Sequence, residues 1–209
     1  MKILFLAKDK PLAKDAADLV INHFERAQII FGDRHSELPK EVYNQSYDYV
    51  ISYISPWILP KEILESVKIA AINFHPGPPN YPGIGCTNFA IYHDEKEYGI
   101  TVHHMAEKVD TGAIILVERF SIYPEDTVYS LTQRCYAHIY IAFTKIFEGI
   151  LKEQPLPKSK EHWQRKPFTR NELNELCRIN PGMDKEEINR RVKATAFPGM
   201  PGANWETTR

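Results

Sequence analysis

The sequence predicts an α/β fold: a doubly wound, mostly parallel sheet followed by a short C-terminal helical extension. Two observations carry this. Strand-like and helix-like patterns alternate through the first two-thirds of the chain. The strand-like segments are near-continuous apolar runs, as at residues 47–54, which suits strands covered on both faces. A length of 209 residues fits one domain with a modest extension.

Residues 2–7 form the first strand. Leu12, Ala16, Leu19, Val20 and Phe24 recur at helical spacing, so a helix runs from Pro11 to about residue 23, with proline at its first position. Residues 28–31 make a short strand ended by Gly32-Asp33, and residues 47–54 make the next. Pro60 opens a short helix carrying Ile63, Leu64 and Val67, and residues 69–74 return as a strand. After a Pro-Gly loop, residues 87–92 form a short helix. Strands at 99–105 and 114–122 are joined through Asp110-Thr111-Gly112. Asp126 or Thr127 caps a long helix to about residue 151, with Leu131, Cys135, Ile139, Phe143 and Phe147 as a core-packing stripe.

Residues 154–168, rich in Pro, Lys and aromatics, read as an extended linker. Capping-box spacings at Thr169/Glu172 and Asp184/Glu187 each start a short helix. The division expected is a catalytic domain over 1–152 and a linker with a helical extension over 153–209. The segment Phe197-Pro198-Gly199-Met200-Pro201-Gly202 and a polar tail end the chain, with no room for a further domain.

Composition narrows the function classes. A net charge of −1 calls for neither a nucleic-acid nor a membrane partner. No apolar run approaches the roughly 20 residues of a membrane span. The opening Met1–Leu6 stretch stops at Asp9, too short for a signal peptide. Three widely spaced cysteines, Cys86, Cys135 and Cys177, suggest neither a disulfide framework nor a zinc site, and a reducing cytoplasm is the expected location.

The segment after the first strand reads Ala7-Lys8-Asp9-Lys10-Pro11. A nicotinamide dinucleotide fingerprint and a Walker phosphate loop are both absent there. Chemistry is concentrated instead at residues 73–85, Asn-Phe-His-Pro-Gly-Pro-Pro-Asn-Tyr-Pro-Gly-Ile-Gly, directly after the apolar strand 69–72. Such a strand releases Asn73 and His75 at its carboxyl end, the rim where open α/β sheets bind ligands. Asn73 can donate to a developing oxyanion. His75 titrates near neutrality and can act as base or imidazolium. Asp110, in a Val-Asp-Thr-Gly turn, can orient His75 and raise its pKa. Each has a plainer role open to it: Asn73 as a strand-end cap, His75 bonded to a loop carbonyl, Asp110 as a turn former. Spacing alone does not bring Asp110 to His75. His103 and His104 lie within a strand, pointing to opposite faces, so they form no chelate. Cys86 has no evident activator.

In order, Asn73-x-His75 after a buried strand, Pro-Gly, and Val-Asp110-Thr-Gly ahead of a strand resemble the folate-dependent formyltransferases over about residues 1–150. The runs 74–90, 98–105 and 196–203 are most similar to the sugar N-formyltransferase branch. The resemblance implies a Rossmann-like formyltransferase fold. It implies formyl transfer from N10-formyltetrahydrofolate to the amine of a nucleotide-linked deoxysugar, with dTDP as the expected nucleotide. It assigns Asn73, His75 and Asp110 to catalysis. The folate pterin would sit between residues 54–59 and the loop before Asp110, among Ile54, Trp57, Ile58, Leu59, His104 and Val109. The acceptor would meet Tyr81, Gly83, Ile84 and Gly85. Lys8 and Lys10 stand where glycinamide ribonucleotide enzymes carry a Gly-rich phosphate loop. They are candidates for a pyrophosphate, with solvated surface lysines as the alternative. No metal is implied, and a homodimer is left open. Formyl transfer to another small amine, hydrolysis of the donor on the same scaffold, and a non-catalytic folate or nucleotide-sugar sensor are the competing readings.

Overall fold

The computed structural model describes residues 1–205; the last four residues of the polar tail lie outside the described part. Its centre is a six-stranded sheet of order β2-β1-β3-β4-β5-β6. β1 (Lys2–Lys8) lies between β2 (Arg26–Gly32) and β3 (Tyr49–Tyr53), and β4 (Ala70–His75) continues beside β3, all parallel. β5 (Glu97–His104) then runs antiparallel to β4, and β6 (Ile114–Ser121) antiparallel to β5. The chain winds outward from β1 to β2, then returns to the other side of β1. That reversal opens a crevice between the carboxyl ends of β1 and β3.

Successive strand residues point to opposite faces, so each apolar run feeds two cores. Ile3, Phe5, Ile51, Tyr53 and Phe74 face α1 (Pro11–His23) and α4 (Val128–Leu151). Leu4, Leu6 and Val50 face the side closed by α2 (Lys61–Glu65) and a 3₁₀ turn at Lys40–Val42. Leu131, Cys135, Ile139, Phe143 and Phe147 are all buried, and Phe143 packs edge-on against Phe5, Tyr53 and Phe74. Removing each large side chain of this kind from water contributes about 1.5–3 kcal/mol. Of the two candidate caps for α4, Thr127 accepts the Ser130 N–H, while Asp126 accepts the Tyr123 N–H and pairs with Arg134.

α3 (Cys86–Tyr92) anchors the C-terminal extension. Asn88 donates to the Ala194 carbonyl and Tyr92 to Glu187, both at 2.8 Å, which holds α6 (Lys185–Thr195) against it. The Thr169/Glu172 box closes in both directions at the start of α5 (Arg170–Leu176). At α6 only the Asp184 half forms, accepting the Glu187 N–H at 2.8 Å. Short parallel strands β7 (Arg178–Ile179) and β8 (Asn204–Trp205) close the extension. No helix among the described residues is long and apolar enough to cross a membrane.

Candidate active site

The site forms where the sheet changes from parallel to antiparallel. Asn73 and His75, two residues apart on β4, project to one face, while the alternating Ile72 and Phe74 enter the core on the other. Register sets their neighbours: Asn73 stands opposite Ser52 of β3 and His103 of β5. The Ser52 hydroxyl donates to Asn73 Oδ1 at 2.7 Å, and Asn73 Nδ2 lies 3.0 Å from His103 Nε2. A polar row therefore crosses three strands. The β5–β6 pairing shifts register between Val102 and His103, a local irregularity of the kind that re-aims side chains beside active sites.

Asp110 reaches this row from the β5–β6 connection. Its φ is +47, a left-handed conformation that Asp tolerates better than most residues. Its two oxygens divide the cluster. Oδ2 accepts the Gly83 N–H at 2.7 Å and lies 3.2 Å from His75 Nδ1; Oδ1 lies 3.2 Å from His103 Nε2 and 3.5 Å from Asn73 Nδ2. The acid therefore does meet the ring, as the convergence of Asn73, His75 and Asp110 requires. The plainer role of His75 is realised as well: its Nε2 lies 2.9 Å from the Tyr81 carbonyl.

These contacts fix where protons sit. A carbonyl only accepts, so His75 Nε2–H donates to Tyr81, and His103 Nδ1–H donates to the His104 carbonyl at 2.8 Å. His75 Nδ1 then faces the Asp110 Oδ2 carboxylate oxygen at 3.2 Å. Burial opposes ionisation of Asp110. The His75 charge, the His103 hydrogen bond and the Gly83 N–H outweigh it and bring the carboxyl down to about 2. Burial disfavours the His75 imidazolium more than Asp110 favours it, and lowers its pKa.

His103 is the site residue that sequence reasoning missed. The alternation of His103 and His104 rightly rules out a chelate, but it also puts one of the pair on the Asn73 face. The signal available was the antiparallel pairing of residues 99–105 against residues 69–75, which aligns His103 with Asn73. Trp163 was missed too. It lies in the segment read as a linker, with its ring edge-on to His103 and His75.

The residues named around the pterin fall on two segments, 54–59 and 104–109, that meet through one apolar cluster. Ile54 is buried at the end of β3 with φ +54, a strained conformation for a β-branched residue and a mark of functional sites. Leu59 is buried with Trp57 and Met105 in one apolar cluster, so segment 54–59 stands beside the segment leading to Asp110. Trp57 turns away toward Gly32, its indole N–H donating to the Ser36 carbonyl at 2.8 Å. Ile58 is 72% exposed and Val109 39%, while His104 is half-buried. Among the acceptor candidates, Tyr81 is buried with its hydroxyl bonded to Glu95 at 2.7 Å, and Ile84 N–H donates to Phe168 at 3.1 Å. Gly83 and Gly85 both have positive φ, +90 and +66, and shape the loop. Lys8 is half-buried at the end of β1, where burial lowers its pKa, and Lys10 is exposed. No group of three metal-ligating side chains among the described residues is arranged to hold an ion.

The formyl transferase family profile matches residues 7–145. GDP-perosamine N-formyltransferases of Brucella melitensis and Brucella abortus are each 34% identical over 158 residues, 75% of this chain and 60% of theirs. Methionyl-tRNA formyltransferase of Enterococcus faecalis is 27% identical over 177 residues, 80% of this chain and 55% of that protein. The chain thus spans 55–60% of the length of these curated relatives. A sugar N-formyltransferase from Shewanella shares the fold at TM-score 0.77 and 19% identity, over 98% of this chain and 92% of that one. An N-formyltransferase from Helicobacter canadensis, solved with folinic acid and dTDP-3-aminofucose, superposes at TM-score 0.75 and 21% identity, over 93% and 80%. With two-thirds of its length matched by the profile and a third of its aligned residues shared with the Brucella proteins, this chain belongs to the formyl transferase family.

Proposed function

We propose that this protein transfers a formyl group from N10-formyltetrahydrofolate to the amine of a nucleotide-linked amino deoxysugar. The observation that carries the reading is Asp110, whose two oxygens gather His75, His103 and Asn73 into one buried cluster at the sheet's carboxyl rim. The Brucella relatives favour a nucleotide sugar over a tRNA acceptor, and the Helicobacter complex favours a folate donor beside it.

The folate supplies an activated formyl group. Buried Ile54 and Leu59, with exposed Ile58 and Val109, offer apolar surface to its flat heterocycle. Asn73 Nδ2–H donates to the carbonyl oxygen under attack, where a preorganised donor is worth about 2.7–4 kcal/mol. His75, kept in place by the Asp110 contact, turns its imidazole to the same developing charge. Asp110 keeps the ring in place and accepts the proton the attacking amine loses, as the new bond from the amine to the formyl carbon replaces that carbon's bond to N10 of the donor. Lys8 and Lys10, at the crevice between β1 and β3, hold the pyrophosphate.

The test is a steady-state formyl-transfer assay with a panel of nucleotide amino sugars, dTDP-linked first and GDP-linked as the comparison. Transfer should appear with one of them and collapse in Asn73→Ala, His75→Ala and Asp110→Ala with circular dichroism unchanged. Folded wild-type protein that formylates no amine in the panel sinks the proposal.

A further inference from the structure

We propose that Trp163 is a positioning residue for the imidazoles of His75 and His103, held there by a strap of chain that forms one wall of the site. Its kinetic arm rests on the formyl-transfer reading; its structural arm does not.

Extended surface segments are ordinarily loosely held. Residues 159–168 are not. Ser159 N–H donates to the Ile114 carbonyl at 3.1 Å, Gln164 N–H to Pro79 at 3.0 Å and Phe168 N–H to Pro82 at 2.8 Å, while Ile84 N–H donates to Phe168 at 3.1 Å. The Trp163 indole N–H donates to the Gly112 carbonyl at 2.8 Å. The Phe168 ring stacks on Phe89 at 3.8 Å between centroids, and Arg119 pairs with Glu161. The groups so tied belong to two loops. Pro79, Pro82 and Ile84 follow His75; Gly112 and Ile114 follow Asp110. The strap thus stitches together the two stretches that must converge. Contact is tight enough that a Cβ on Gly83 would lie 2.3 Å from the Phe168 carbonyl oxygen.

Trp163 sits within this strap. Its ring centroid is 5.0 Å from that of His103 at 87° between planes, and 5.8 Å from that of His75 at 75°. Both fall in the range of edge-to-face aromatic packing. Each imidazole has a polar contact at both nitrogens, which leaves one freedom: rocking about the line through them. One indole against both rings blocks that motion in both. A depression of about 280 Å³ opens on this side, lined by Thr111, Glu161, His162 and Trp163 among others; neither imidazole reaches it. Truncating the indole would therefore extend solvent-filled space toward the rings.

The experiment compares the full chain with Trp163→Leu and Trp163→Phe, by NMR titration of the histidine side chains and by kinetics. In Trp163→Leu the His75 titration midpoint should move by about 0.5 pH unit or more, and the ring resonances of both His75 and His103 should shift, through changed solvation and orientation. The kcat of formyl transfer should fall about 10- to 100-fold, with KM for donor and acceptor within about threefold and the pH profile of kcat following the His75 midpoint. Trp163→Phe, which keeps a ring and loses the N–H, should fall between. Folded Trp163→Leu with the His75 midpoint and both rings' resonances unchanged overturns the proposal; if that variant does not fold, Trp163→Phe is judged by the same criterion. A displaced His75 midpoint in a protein whose wild type formylates no amine would leave the positioning role standing and the functional reading refuted.

Discussion

Two strands, β1 and β4, end at the same rim of the sheet and release polar residues there, with opposite results. β1 ends in Lys8-Asp9-Lys10, where Asp9 pairs with Lys14 across an exposed 2.7 Å contact. β4 ends in His75, buried and with a polar contact at both nitrogens. The difference lies in the neighbours. β1 lies between two parallel strands, and its end opens on a crevice. β4 lies against antiparallel β5, which carries His103 alongside Asn73, and the β5–β6 loop folds Asp110 back over both. A place on the rim is enough to meet a ligand. Proton-handling chemistry also needs a second segment that buries the groups and holds them.

The largest effect should come from breaking the β4 cluster at its hub. Asp110→Ala should lower formyl transfer by about 10²–10⁴-fold, the scale of a lost proton-transfer partner. It also leaves the Gly83 N–H without its acceptor, at a cost of about 1–3 kcal/mol by urea denaturation. Asn73→Ala should lower kcat by about 10²–10³-fold with KM little changed, because the donated hydrogen bond strengthens only as charge develops.

Acid titration sharpens the contrast. Asp110 sits at about 2 in the fold against an ordinary 3.8, so folding favours its carboxylate. That contribution is complete above pH 3.8 and disappears as pH falls through about 2. It amounts to about 2 kcal/mol, which Asp110→Asn should remove from the acid limb of the stability curve. The smallest effects belong to the β1 end. Lys8→Ala should raise KM for the nucleotide sugar by about tenfold or less and leave kcat within about twofold, as expected for uniform binding. Asp9→Ala should leave the melting temperature within about 1 °C, since exposed pairs contribute little.

Much of this was legible along the chain. The alternation of periods located all six strands of the main sheet, and buried runs marked those with two covered faces. Asn73 and His75 could be read because both sit on one strand, where alternation fixes a shared face. Asp110 could be placed in a turn but not beside His75, since 34 intervening residues leave the direction of its loop to tertiary packing. His103 was hidden behind a correct but incomplete inference: alternation gives opposite faces, and only strand pairing says which face matters. The strap at 159–168 carries no periodicity, because its order comes from hydrogen bonds to two other loops.

The sequence by itself therefore determined the winding of the sheet, the rim position of Asn73 and His75, and the likeness to formyltransferases. These depend on local periodicity and on short motifs, which a linear chain displays. Tertiary structure alone decided that one carboxylate would bind two imidazoles and an amide, and that Trp163 would pack against both rings. Those contacts join segments tens of residues apart, and they exist only once register, loop direction and burial are set together.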